Sequence, residues 1–88
     1  MVYITHVHMT AAGTGHEHIG AVKWRNPAEG ATGESTTATM VDWIENKGGV
    51  AKVTDGQNIA SVGVVDHSYL RTHADGKWNN NLLSLPRY

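Results

Sequence analysis

Cysteine and phenylalanine are absent from this chain, proline occurs twice, and neither sign of charge is in excess, with seven Lys and Arg against eight Asp and Glu. Without cysteine there is no disulfide framework, no thiolate metal site and no cysteine nucleophile. A sequence pI of about 6.6 lies below the basic range of domains that hold nucleic acid mainly by neutralising phosphates, so non-specific nucleic-acid binding is not expected. No stretch approaches the ~20 apolar residues of a membrane span, and the first six residues lack the basic and apolar regions of an export signal. No membrane association is expected, and the expected location is cytoplasmic. Aliphatic bulk is also short. Leu, Ile and Val number 17 of the 88 residues, offset by three Trp and three Tyr, which describes a single thinly cored domain over residues 1–88. A large enclosed active-site cavity is not expected in so small a chain, and pairing into a homodimer or larger homo-oligomer is one way for it to bury more apolar area.

What is present reads mostly as strand. Val2 to Met9 alternates, with Tyr3, Thr5, Val7 and Met9 on one face and Val2, Ile4, His6 and His8 on the other. Ala11 to Gly15 has turn composition, and Glu17 to Arg25 supplies a second strand, so the two predict a hairpin. Asn26 to Glu34, with Asn26-Pro27, Gly30 and Gly33, reads as a mobile connection and not an element. Ser35 or Thr36 then caps a helix at about 36 to 47, whose Met40, Val41, Trp43 and Ile44 form an apolar stripe before Gly48-Gly49 stops it. A lone amphipathic helix must press its stripe on something, most simply one face of a sheet. Val50 to Thr54 and Ile59 to Val65 are further strands, with Gly63 open to close approach by a neighbour.

The clearest local signal is Tyr69 to His73, then Asp75-Gly76, then Lys77 to Asn80: a hairpin with a two-residue turn. With Asp75 and Gly76 central, Ala74 faces Lys77, His73 faces Trp78 and Arg71 faces Asn80, which puts Arg71, His73, Trp78 and Asn80 on one face. Leu82-Leu83-Ser84-Leu85-Pro86 is too apolar for a solvated tail and should pack on this subunit or a neighbour. The fold class expected is α+β, an antiparallel sheet in the order ββαβββ with one amphipathic helix on one face.

Certain of these residues carry a resemblance. Tyr3-Ile4-Thr5, His16-Glu17-His18-Ile19 with Trp24 following, Met40-Val41-Asp42-Trp43-Ile44, Gly48-Gly49, Tyr69-Leu70-Arg71-Thr72, Ala74-Asp75-Gly76, Trp78 and Asn81-Leu82-Leu83-Ser84-Leu85-Pro86 together resemble a small bacterial and phage domain family of unknown function, the one numbered 3892. The similarity covers essentially the whole chain and is most specific over the last twenty residues. It implies the domain boundaries and supplies no activity, cofactor or catalytic residue.

Six histidines raise the question of a metal, since His6 with His8, and His16 with His18, are each two apart and point the same way on a strand. If the hairpin register aligned the pairs, four imidazoles would converge on a zinc ion. The competing reading has His18 bonding backbone beside the turn and the rest facing solvent, with no cofactor. Asp66-His67-Ser68 holds the residue types of a catalytic triad, but sequence neighbours on an extended segment diverge, and a polar turn is the better reading. The glycines form neither a dinucleotide fingerprint nor a phosphate loop. The face of Arg71, His73, Trp78 and Asn80 is more suggestive: a guanidinium, an indole and amides suit a planar anionic ligand such as a nucleotide. Against it stands the reading in which Trp78 is core and Arg71 pairs with a carboxylate such as Asp75. The expected function is a non-enzymatic, homo-oligomeric binding module for a small anionic molecule. The alternatives are a protein-interaction adaptor of phage origin using the apolar C-terminal segment, and a histidine-based metal protein.

Overall fold

The alternation at the start of the chain does give a strand, β1 (Val2–Met9), but Val2, Ile4 and Val7 are the residues it buries. A bulge explains the change of phase. Ile4 pairs with Trp24 and His6 with Lys23, leaving Thr5 as the extra residue, so Val7 turns inward and His6 and His8 share the opposite face. The computed structural model describes residues 1–10, 15–54, 56–74, 76–79 and 81–88. Past β1 come a 3-10 turn at His16–His18, where a strand was expected to have begun, and then β2 (Ile19–Asn26), β3 (Ala31–Thr36), α1 (Thr37–Asn46), β4 (Ala51–Thr54), β5 (Ile59–Val65), β6 (Tyr69–Ala74), β7 (Lys77–Asn79) and a second 3-10 turn at Leu82–Ser84. The turn expected at Ala11 to Gly15 lies, but for Gly15, outside the described residues.

One seven-stranded sheet runs β3-β2-β1-β4-β5-β6-β7. The α+β class and the single covering helix agree with the sequence reading. Two features differ from it. β1 and β4 are parallel, paired through Val2 with Ala51 and Tyr3 with Lys52, so the sheet is mixed. The stretch expected to be mobile contains β3, which pairs along β2 from Ala21 with Thr36 to Asn26 with Ala31. Asn26 builds the turn: its carbonyl accepts from Gly30 N–H at 2.8 Å and its side chain from Ala28 N–H at 3.1 Å. β3 carries no apolar residue larger than Ala31, as suits an edge strand facing mostly solvent, and its inward Gly33 lies directly against the Trp24 indole.

Helix α1 starts where its cap demands. The Thr36 hydroxyl accepts from Thr39 N–H at 3.2 Å, and buried Thr37 donates to the Ile19 carbonyl at 2.6 Å, which pins the first turn to β2. Gly48, at φ +68°, turns the chain away, and Gly49 N–H returns to the Trp43 carbonyl at 2.9 Å. Met40 and Val41 pack into a core of Val2, Ile4, Val7, Ile19, Val22, Ala51, Val53, Val62, Leu70 and Leu82. Leu82 has no exposed surface, and burying such a side chain contributes about 2 kcal/mol. The apolar C-terminal segment therefore packs on its own subunit. It then runs beside β1, where Val7 N–H donates to the Pro86 carbonyl at 3.0 Å and Tyr88 N–H to the Val7 carbonyl at 3.2 Å. Among the described residues no helix is long and apolar enough to cross a membrane.

Candidate functional site

With α1 on one face, the outward residues of β5, β6 and β7 form the other. The hairpin register matches its expectation where the structure describes it: Ala74 pairs with Lys77, His73 with Trp78 and Thr72 with Asn79. Gly76 has φ +76°, as a tight Asp-Gly turn requires, while Asp75 and the expected site residue Asn80 lie outside the described residues. Arg71, His73 and Trp78 are brought to one face. Trp78 is half-exposed, at 49%, so it is not the core residue of the competing reading. Its ring stands edge-on to His73, with centroids 5.3 Å apart. Beneath it is Gly63, where a Cβ would lie 3.2 Å from both the Trp78 and His73 rings, so the missing side chain is what lets the indole settle on the sheet. Arg71, opposite Gly63, donates through Nε to the Asn79 carbonyl at 3.4 Å. Next to them Lys52 Nζ donates to Ser61 Oγ at 3.3 Å. Sequence reading missed Lys52 and Ser61, because only the pairing of β4 with β5 carries them beside His73.

A concavity elsewhere on the molecule was not foreseen. A cleft of about 340 Å³ opens between α1 and the β2–β3 edge, lined by Trp24, Trp43 and Met40 with Glu29, Asp42 and Lys47 at its polar margin. Each indole is backed by a glycine, Gly33 behind Trp24 and Gly49 behind Trp43, and the Trp24 Nε1–H is satisfied by Ser35 Oγ at 3.1 Å. Those contacts pack both indoles, and the cleft is the space left between helix and edge strand.

A family model described as protein of unknown function (DUF3892) matches residues 3–86. The chain belongs to this family. No curated protein and no solved structure gives a significant match. The match to DUF3892 spans residues 3–86 and leaves the chemistry to the side chains.

The histidines of this DUF3892 chain do not gather as a four-imidazole site requires. His6 lies opposite Lys23 and His8 opposite Ala21, while His16 and His18 occupy the 3-10 turn before β2, so the two pairs do not face each other. Among the described residues no group of three or more His, Asp or Glu is placed to hold a metal ion. His18, expected to bond backbone beside the turn, is instead half-exposed with its side chain 3.7 Å from Glu17, while its own carbonyl accepts from Thr10 N–H at 2.7 Å and Thr10 Oγ1 at 3.1 Å. His16 is the buried one, and its Nε2 has no hydrogen-bond partner. Burial first, then the positive charge of Arg71, hold it below the ordinary value of 6.5, with Glu17 opposing. His6 and His8 gather instead around Tyr88: ring centroids lie 6.4 and 5.5 Å away, His8 Nδ1 meets the Tyr88 backbone oxygen at 2.5 Å, and Lys23 Nζ stands 4.6 Å from the ring centre. Burial, then the neighbouring Glu34 carboxylate, push the Tyr88 phenol up to about 12. His67 makes an exposed pair with Glu45 at 2.6 Å, and Asp66-His67-Ser68 is a turn, Ser68 N–H donating to the Val65 carbonyl at 3.0 Å.

Proposed function

We propose that this DUF3892 protein is a non-enzymatic binding module for a small anionic ligand of the nucleotide class, held on the helix-free face by Trp78, Arg71 and His73. The observation that carries the reading is the exposed indole settled over Gly63, with Arg71 across the ladder from that glycine and Lys52 one strand further on. A base stacks on an aromatic face, and a phosphate is recognised by guanidinium and ammonium donors, so the two halves of a nucleotide match the two kinds of side chain. The module acts in the cytoplasm and as a homo-oligomer; the free edge of β3 offers a strand for pairing with a second copy, which light scattering after gel filtration would detect. The adaptor reading has less support, because Leu82 is fully buried and Leu83 and Leu85 pack against the same core, leaving that segment little to offer a partner.

Calorimetry against nucleotides and cyclic dinucleotides tests the proposal. Binding that weakens in both Trp78→Ala and Arg71→Ala supports it. If no nucleotide registers, and Arg71→Ala changes only stability, the proposal fails.

A further inference from the structure

The proposed site stands at one end of a longer feature. Pairing runs unbroken across all seven strands: Thr32 with Arg25, Arg25 with Tyr3, Tyr3 with Lys52, Lys52 with Ser61, Ser61 with His73, and His73 with Trp78. Residues paired across a ladder point to the same side, so these seven side chains make one rank on the helix-free face. At ~4.8 Å per strand it is roughly 29 Å long, measured along the sheet. Cations and rings interleave in it. The Arg25 guanidinium lies 5.2 Å from the Tyr3 ring centre, Lys52 follows, and His73 and Trp78 close the far end.

Charge on the molecule is segregated accordingly. Lys23 and Arg71 sit two residues along their strands from Arg25 and His73, so four of the seven Lys and Arg share this face. Among the described strand residues only Glu34 joins them from the acidic side, opposite Lys23. Asp42 and Glu45 are on α1, Glu29 is in the β2–β3 turn, Glu17 in the first 3-10 turn and Asp66 in the β5–β6 turn. The near-neutral total that argued against non-specific nucleic-acid binding thus averages over a sheet face whose described strand residues carry four cations and one carboxylate.

We infer that this rank is a track for single-stranded nucleic acid. The inference rests on the nucleotide reading above and extends it, with Trp78 as the terminal stacking platform and Tyr3 as a second one across the sheet. Polymer binding without base-specific readout combines this arrangement of backbone-tracking cations and stacking rings, and the rank suits the lower end of the ~4 to 16 nucleotides that single-strand folds engage. A duplex keeps its bases stacked inside and offers the rings nothing.

The test compares thymidine monophosphate with an oligothymidylate of about twelve nucleotides, by calorimetry and fluorescence anisotropy. The oligomer should bind at least about tenfold tighter than the monomer, and four engaged cations should give a log–log salt slope of up to about −3. Trp78→Ala should weaken both ligands, the oligomer by about five- to 150-fold. Arg25→Ala, at an exposed position remote from Trp78 along the rank, should weaken the oligomer and leave the monomer unchanged. If the oligomer binds no tighter than the monomer, or is indifferent to Arg25→Ala, the track is refuted while the nucleotide site stands. If neither ligand binds, both fall.

Discussion

Thr72 organises the end of the chain through a single hydroxyl, and replacing it with valine isolates that role. The residue has no exposed surface. Its Oγ1 donates to Asn79 Oδ1 at 2.5 Å and accepts from the Leu82 backbone N–H at 3.2 Å, and the same Asn79 oxygen takes Asn81 N–H at 3.0 Å. The hydroxyl thereby joins β6 to β7 and to the 3-10 turn that plugs the core with Leu82. Thr72→Val keeps the shape and strands a buried Leu82 N–H without an acceptor, at a cost of about 1–3 kcal/mol. The new methyl recovers up to ~0.8 kcal/mol, so the net loss is about 1–2 kcal/mol. In a domain this small each kcal/mol moves Tm by about 4–8 °C, which makes the expected drop roughly 5–15 °C. Urea unfolding followed by tryptophan fluorescence measures the loss, and amide exchange at Leu82 localises it, since protection there should fall first. Thr72→Ser, which retains the hydroxyl, should keep the Leu82 amide protected. A valine variant as stable as the parent, with Leu82 protection intact, would refute the account.

The same packing sets three further outcomes. His16 is held neutral by burial and by Arg71, so its folded pKa lies below the unfolded value; its stabilising contribution is present above pH ~6.5 and is lost as pH falls through the folded pKa. His16→Gln should flatten the stability–pH curve over that acidic range, and an unchanged slope would contradict the assignment. The Tyr88 phenol is raised to about 12, so its contribution is present below the ordinary 10.0 and declines as pH rises through the folded value. Tyrosinate absorbance should show a late-titrating component that Tyr88→Phe removes. At Gly49 an added Cβ would overlap the Trp43 indole, whereas at Gly48 it would meet open space at φ +68°. Gly49→Ala should therefore cost about 1–3 kcal/mol through overpacking and shift the Trp43 emission, and Gly48→Ala about 1–2 kcal/mol with no emission change. Emission shifts in the reverse order would count against the packing described.

Local signals carried most of the fold. The helix is legible because Thr36 caps it and Gly48-Gly49 ends it, and both devices act within a few residues of the backbone groups they satisfy. The β6–β7 register is legible because a two-residue connection leaves no freedom in which side chains meet. β3 was missed for the complementary reason. Nothing in Ala31-Thr32-Gly33-Glu34-Ser35-Thr36 marks a strand by its own pattern, and what makes it one is the ladder to β2 and the seat that Gly33 gives Trp24. The inverted face of Val7 is likewise a bulge at Thr5, which alternation cannot register.

The candidate site divides along the same line. Arg71, His73 and Trp78 could be grouped from sequence because one hairpin holds them, yet whether the indole faced the core or solvent depended on Gly63, a residue on another strand. Tyr3, Arg25 and Lys52 could not be joined to them at all. Their connection passes through the parallel pairing of β1 with β4, a contact between strands separated by two others, a helix and some forty residues of chain. The same pairing determines whether the face is one surface or two. Were β1 and β4 to meet one residue out of step, Tyr3 and Lys52 would no longer lie side by side, and the cations of β2 would be cut off from the ring on β7. The alternating rank is a product of register, and its two pairs at Val2–Ala51 and Tyr3–Lys52 are the narrowest point at which that register is held.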